Sequence, residues 1–370
     1  MIRDRKPYRM LLPLLLFLLL IFTSCTDGGA GIFYSIEIEE EIKNRSLPDY
    51  LTAFSYATIN DMYYLAGGGL YRWNSLTPSQ EWSDMSLPSG WKYTWQVASN
   101  DSDTLYTILE NSDGDMTALY TWNGGWGSAY SLPVGRPYRL WYADSRLYVA
   151  TQQTVNETDK DYDYRLYQAN DATDLSAGFA QVTVGGSPFV SSNKPIRDLA
   201  FDTDNAEVLF ITSESVYSGT GNTFNTDTAA TPSGSYDYLR NIHYSTTHSD
   251  IFISTADEII NGDGYVYRWD GTSLTGFSSV GDDPNDFGDI FFGGDYYLLL
   301  GAENGYYESV AGSSSFSGES NTIESSANYD ITDLSSAVVQ GIFDGPGDSF
   351  FAMTSGNGLW RNTNGTWSRE

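Results

Sequence analysis

The stretch "DMYYLAGGGLYRWN" occupies Asp61–Asn74, and near the other end of the chain stands "DSFFAMTSGNGLWRNTNGTW", Asp348–Trp367. Each opens with Asp, runs through an apolar, aromatic-rich segment, breaks at Gly, and resumes with Gly, Leu, an aromatic and Arg. The resumption, an apolar residue and then Tyr or Trp after a Gly or polar break, recurs at Tyr71, Tyr120, Tyr167, Tyr217, Tyr267, Tyr307 and Trp360. The spacings are 49, 47, 50, 50, 40 and 53 residues. Apolar runs precede all seven: "MYYLA", "LYTIL", "LYVAT", "VLFIT", "IFIST", "YYLLL" and "FFAMT". Before each run stands an Asp, at 61, 103, 144, 204, 250, 295 and 348. Asp suits a hairpin turn there, because its carboxylate accepts from backbone two residues on.

A further strand fits before each Asp, as in "YRLWYA", "IRDLAF", "LRNIHYS", "GDIFF" and "VQGIF", and another after turns such as "WNGGW", "WDGTS" and "NTNGTW". Four strands in 40–50 residues is the signature of a propeller blade. One such sheet leaves both faces wet, whereas seven stacked around an axis bury them against each other. The expected fold is therefore all-β: a seven-bladed β-propeller of four-stranded antiparallel blades over residues 32–370, with no linker dividing it. The segment "IFYSIEIEEEIK" (32–43) alternates like a strand. It is expected to pack on the last blade and protect its open edge.

Composition agrees. Aromatics make up 15% of the 370 residues, with 28 Tyr and 36 Gly, a mixture suited to strands and turns. The net charge of −29 argues against nucleic acid, whose phosphates need a basic footprint, and fits a soluble, self-repelling surface.

The first residues are an address. "MIRDRKPYRM" is basic, Met10–Phe22 is a 13-residue apolar run, and "TSC" follows. This is the order of a signal peptide, and the run is short for a membrane span. Cys25 is the only cysteine, so disulfides within the chain are excluded. Thr23, Ser24 and Cys25 resemble the lipobox of bacterial lipoproteins, with Phe22 where Leu is usual. The resemblance implies cleavage after residue 24, lipidation of Cys25 and membrane attachment through it, with residues 25–31 as a tether. Two or three acyl chains anchor firmly where one does not. Residues 1–24 carry a net +3, so the mature chain would hold −32. Over nearly its whole length the sequence resembles bacterial propeller lipoproteins, which implies fold and a cell-envelope location, at the outer membrane, periplasmic or surface-exposed, without transferring active residues.

The inner strands, aligned on their aliphatic residues, place Arg139, Asp198, Asn241, Asp289 and Gln340 at one position, with Arg197 and Arg240 just before it in two blades. Such residues would line the mouth of the central channel, either paired with one another or holding a ligand. Arginine clusters on a propeller raise the sialidases, which use three Arg, a Tyr and acids. However, "NTNGTW" (Asn362–Trp367) lacks the Ser and Asp of their Asp-box and reads as a hairpin turn. His243 and His248, in "HYSTTH", lack a zinc spacing and read as a packed and a turn histidine. The acidic stretches 110–116, 156–163, 261–265 and 281–289 offer oxygens to Ca²⁺ but miss the EF-hand pattern. The first three fall in second-to-third-strand loops. No cofactor and no metal is assigned, and no Gly-x-Ser-x-Gly, phosphate loop or dinucleotide fingerprint occurs. The leading expectation is a noncatalytic envelope module that presents a propeller face to a protein or glycan partner. The alternative is a glycan-processing enzyme with its site at the channel mouth.

Overall fold

The structure, a computed structural model, describes residues 47–370 apart from 58–59, 78–80, 101–103, 233–237, 257–263, 281–282, 304 and 317–336. Seven antiparallel sheets follow one another along the chain. Blade 1 is Ala53–Ala57, Met62–Gly67, Gly69–Asn74 and Ser83–Asp84, from axis to rim. Blade 5 (Tyr238–Ser245, Asp250–Ala256, Gly264–Trp269, Leu274–Val280) and blade 7 (Val338–Asp344, Ser349–Ser355, Leu359–Thr363, Thr366–Arg369) repeat the pattern. The seven Tyr/Trp units all fall on third strands, and the seven apolar runs all fall on second strands. A second strand is covered on both faces by neighbouring blades, so Asp250–Ala256 is buried at every residue. Strands enclosed on both faces read as continuous rather than alternating apolar runs.

Four blades depart from four strands; in blade 3 a fifth short strand, Ser191–Ser192, pairs with the third strand. Blade 2 has Trp91–Ser99, Leu105–Asn111 and Thr117–Trp122, with its rim reduced to bridges Leu119–Tyr130 and Trp122–Trp126. Blade 6 has Pro284–Phe292, Asp295–Ala302 and Gly305–Val310 among the described residues. Blade 4 (Ile196–Asp202, Glu207–Thr212, Val216–Thr220, Thr223–Thr226) gains two strands. After the outer strand of blade 3 (Arg136–Ala143, Arg146–Asn156, Asp161–Ala169, Phe179–Gln181), the chain makes a hairpin, Thr183–Val184 and Ser187–Pro188, turning at Gly185 and Gly186 with φ of 58° and 81°. Thr183–Val184 then pairs in parallel with Thr223–Thr226. Positive φ at both central residues is the two-residue hairpin turn that favours Gly-Gly.

The ring closes between blades 7 and 1. Phe54 and Phe343, both on inner strands, stack with centroids 3.8 Å apart. Tyr50 bridges Ser355, the Asp49 carbonyl accepts from Gly356 and Gly358 N–H at 3.0 and 2.8 Å, and Asp49 pairs with Arg369. The chain's own C-terminal strand forms the rim of blade 7. The strand expected at 32–43 lies outside the described residues. The aspartates expected in turns divide: Asp61 and Asp144 turn with φ 48°, whereas Asp250 is a buried strand residue paired with Arg268. Asp348 accepts from Gly293 N–H of the next blade at 2.7 Å, and Asp103 lies outside the described residues.

Candidate functional site

Six of the seven inner strands carry a β-bulge near their start. The register shifts fall at Trp95, Tyr138, Arg197, Arg240, Asn285–Asp286 and Gln340. A bulge inserts one unpaired residue and re-aims the side chains around it. Five of these positions and their neighbours line a cavity of about 900 Å³ on the axis. Its wall includes Arg139, Arg197, Asp198, Arg240, Asn241 and Gln340, with Asn285 and Asp286, and aromatic surface from Tyr50, Trp95, Trp141 and Tyr238.

Six of the seven channel residues singled out in the sequence thus meet in one place. The seventh, Asp289, does not line the cavity; the bulges show why. They align Gln340 with Arg197 and Arg240, and they place Asn285–Asp286 at that same position in blade 6. Asp289 falls three residues beyond Asp286, two past the position of Asp198 and Asn241, and is level with His243 and Trp141. The sequence alignment took the aliphatic Ile290 as its anchor and so slipped by two. The acidic stretch 281–289 is likewise mostly the start of an inner strand, Pro284–Phe292, rather than a loop. Of the other three, 110–116 and 156–163 span second-to-third-strand connections in blades 2 and 3; of 261–265, residues 261–263 lie outside the described residues and Gly264 and Tyr265 open the third strand of blade 5. Among the described residues no group of three His, Cys, Asp or Glu converges as a metal site.

Most of these polar residues fasten one blade to the next. Asp198 accepts from Trp141 Nε1 of blade 3 at 3.0 Å, from its own Leu199 N at 2.8 Å and from Ile242 N of blade 5 at 3.0 Å. Asn241 donates to the Asn285 carbonyl, and Asn285 donates to the Val339 carbonyl at 2.9 Å. Arg139 donates to the Arg197 carbonyl, and Arg240 pairs with Asp283 at 2.6 Å and Asn285 at 3.1 Å. Asp289 accepts from Ser245 Oγ at 2.6 Å and from Thr246 N and Oγ1 at 2.7 and 3.3 Å, and it also contacts His243 Nε2 at 3.2 Å.

Two channel residues are not so used. Among the described residues the Arg197 guanidinium makes no hydrogen bond or ion pair, and its buried Nε has no partner. It lies over the Tyr238 ring, 5.2 Å from the centroid. Burial and the adjacent Arg139 and Arg240 charges lower its proton affinity. The Gln340 amide is likewise uncommitted.

Proton affinities follow from the enclosure. Asp286, which bonds only its own Phe287 N–H at 2.9 Å, is pushed up to about 7 by the surrounding channel wall and then by the Asp198 charge, against His243 and Arg139. Its carboxyl still reaches the open cavity, which tempers the desolvation. Burial also raises Asp198, opposed by Arg139 and by its N–H donors. For Asp289 burial is outweighed by the bond and charge of His243 and by hydroxyl donors, and its carboxyl falls to about 2. His243 is raised because the Asp289 bond and nearby acids overcome its burial.

No protein-family model and no curated protein matches the chain. Solved structures do. The structure of YCF48 bound to D1 peptide is 13% identical with TM-score 0.55, over 86% of this chain and 95% of that one. The extracellular domain of BT4673 from B. thetaiotaomicron, described as a one component system, is 13% identical with TM-score 0.56, over 84% of this chain. The alignment covers 38% of the BT4673 chain. At this identity the likeness is one of fold: the chain is a seven-bladed β-propeller that shares its architecture with these structures.

Proposed function

We propose that the protein is a noncatalytic binding propeller of the cell envelope, held to a membrane through lipidated Cys25, and that its axial cavity receives a segment of a partner protein. The observation that carries the reading is the cavity itself. About 900 Å³ opens between aromatic and polar side chains, within the size range of a ligand site. Most of the other polar residues on its wall are spent on joining blades. At the end of the ring where the inner strands begin, exposed apolar groups are added by Met116, in the blade 2 connection, and Val155, near the end of the blade 3 second strand. Support also comes from the neighbours: one is a peptide complex and another an extracellular domain. Among the described residues no helix is long and apolar enough to cross a membrane.

The test is capture from envelope extract with the soluble form that begins at Thr26, beside the same form carrying Arg197→Ala and Tyr238→Ala. The reading predicts a protein retained by the first and lost by the second. Equal retention by both would place the contact elsewhere. For the anchor, Cys25→Ser should abolish labelling by radioactive palmitate and release the protein from membranes.

A second reading, a glycan-processing enzyme, is favoured by one observation: two carboxyls, Asp198 and Asp286, line the same cavity, and burial raises the proton affinity of both, as a general acid requires. Turnover of any glycoside in a broad screen, lost in Asp286→Asn, would support it over the binding module.

A further inference from the structure

Three guanidiniums meet in the cavity, and among the described residues only two are matched by acceptors. Arg240 has Asp283 and Asn285; Arg139 has the Arg197 carbonyl and the Asp198 and Asp286 charges nearby. Arg197 has an aromatic face and like charges on both sides. A planar fork of donors, half-buried and without an acceptor, is one half of a charge-assisted pair. Gln96 and Gln340 line the same cavity, and among the described residues their side-chain amides hold no partner.

We propose that Arg197 receives a carboxylate group of the ligand, held by the guanidinium fork. This rests on the reading that the cavity is the binding site, and it names the chemistry that the cavity selects. The charge balance points to a monoanion. Among the described residues one guanidinium is free, the Asp198 and Asp286 carboxyls share the cavity, and the chain as a whole is at −29. A phosphate dianion would meet those acids with only one unpaired cation, whereas a carboxylate matches a single fork in charge and geometry. The Tyr238 ring, already under the guanidinium, leaves an apolar flank for whatever carries the carboxylate.

The test is calorimetric titration of the full chain, purified in detergent, with two pairs of probes: N-acetylphenylalanine against its amide, and glucuronate against glucose. At least one acid should bind while its neutral counterpart does not. Arg197→Ala should weaken that binding tenfold or more, with Arg197→Lys intermediate. Raised salt should weaken it further. Binding of N-acetylphenylalanine alone would identify a peptide source, and of glucuronate alone a sugar acid. Circular dichroism checks that the variants are folded, with Arg197→Gln as the substitute should Arg197→Ala fail. The proposal is overturned if neither acid binds, if each acid and its neutral counterpart bind equally, or if Arg197→Ala leaves the affinity unchanged. Equal binding of acid and neutral probes would leave the cavity as a binding site and remove only the carboxylate. Loss of cavity-dependent capture from extract would remove the wider reading.

Discussion

Adjacent residues on one inner strand have opposite duties. Asp198 ties three blades through Trp141 and Ile242, and its replacement by Ala strands a buried indole N–H and a backbone N–H. Loss of a charged acceptor from such a site costs roughly 3 kcal/mol, so urea unfolding of Asp198→Ala should shift by about that amount. Arg197, one residue earlier, ties nothing among the described residues, and its removal relieves repulsion from Arg139 and Arg240. Arg197→Ala should change stability by less than about 1 kcal/mol. The carboxyls also set the pH response. The folded pKa of Asp289 lies below its ordinary 3.8, at about 2, so its stabilisation is complete above pH 4 and drains away as pH falls towards 2. Asp286 behaves in the opposite sense. Its folded value of about 7 exceeds the ordinary 3.8, so the fold binds the extra proton, and the contribution is full below pH 4 and lost as pH rises to 7. Unfolding free energies measured from pH 3 to 8 should lose the acid limb in Asp289→Asn and the decline towards neutrality in Asp286→Asn.

At the scale of the strand, what the sequence made legible followed from burial. Third strands announced themselves through Tyr71, Tyr120 and their equivalents, because an amphipathic aromatic fits between blades. Second strands did so because both their faces are covered. Inner strands were found but misaligned at Asp289 and Gln340, since a bulge changes the register without changing the hydrophobic pattern. The hairpin 183–188 carried its signal in Gly185-Gly186 and lay outside the four-strand scheme. Blade contact also fixes small residues that no periodicity reveals. A Cβ on Gly288 would run into the Ile342 carbonyl of blade 7, as one on Gly301 would into that of Val339. Gly288→Ala should therefore destabilise by roughly 1–3 kcal/mol through overpacking, read as a lower urea midpoint.

Across the whole molecule, seven sheets make one unit only if the last meets the first. Phe54 and Phe343 form that junction beside the Asp49–Arg369 pair. A double-mutant cycle of Phe54→Leu and Phe343→Leu should return a coupling of about 1 kcal/mol, and a value near zero would mean an open ring. The repeat made the ring legible from Asp61–Asn74 and Asp348–Trp367, and it brought six of seven chosen residues to the axis. It could not tell fasteners from free groups, because that depends on which carbonyl of the next blade each side chain reaches. Closure creates the cavity, and the cavity leaves Arg197 without a protein acceptor. The most direct test of the account is photo-crosslinking in envelopes with benzoylphenylalanine placed at Tyr50 or Gln340, on the cavity wall, or at Tyr296, an exposed residue of the blade 6 second strand outside that wall. The account predicts one crosslinked protein from the two cavity positions and none from Tyr296. Crosslinks from Tyr296 alone would contradict it.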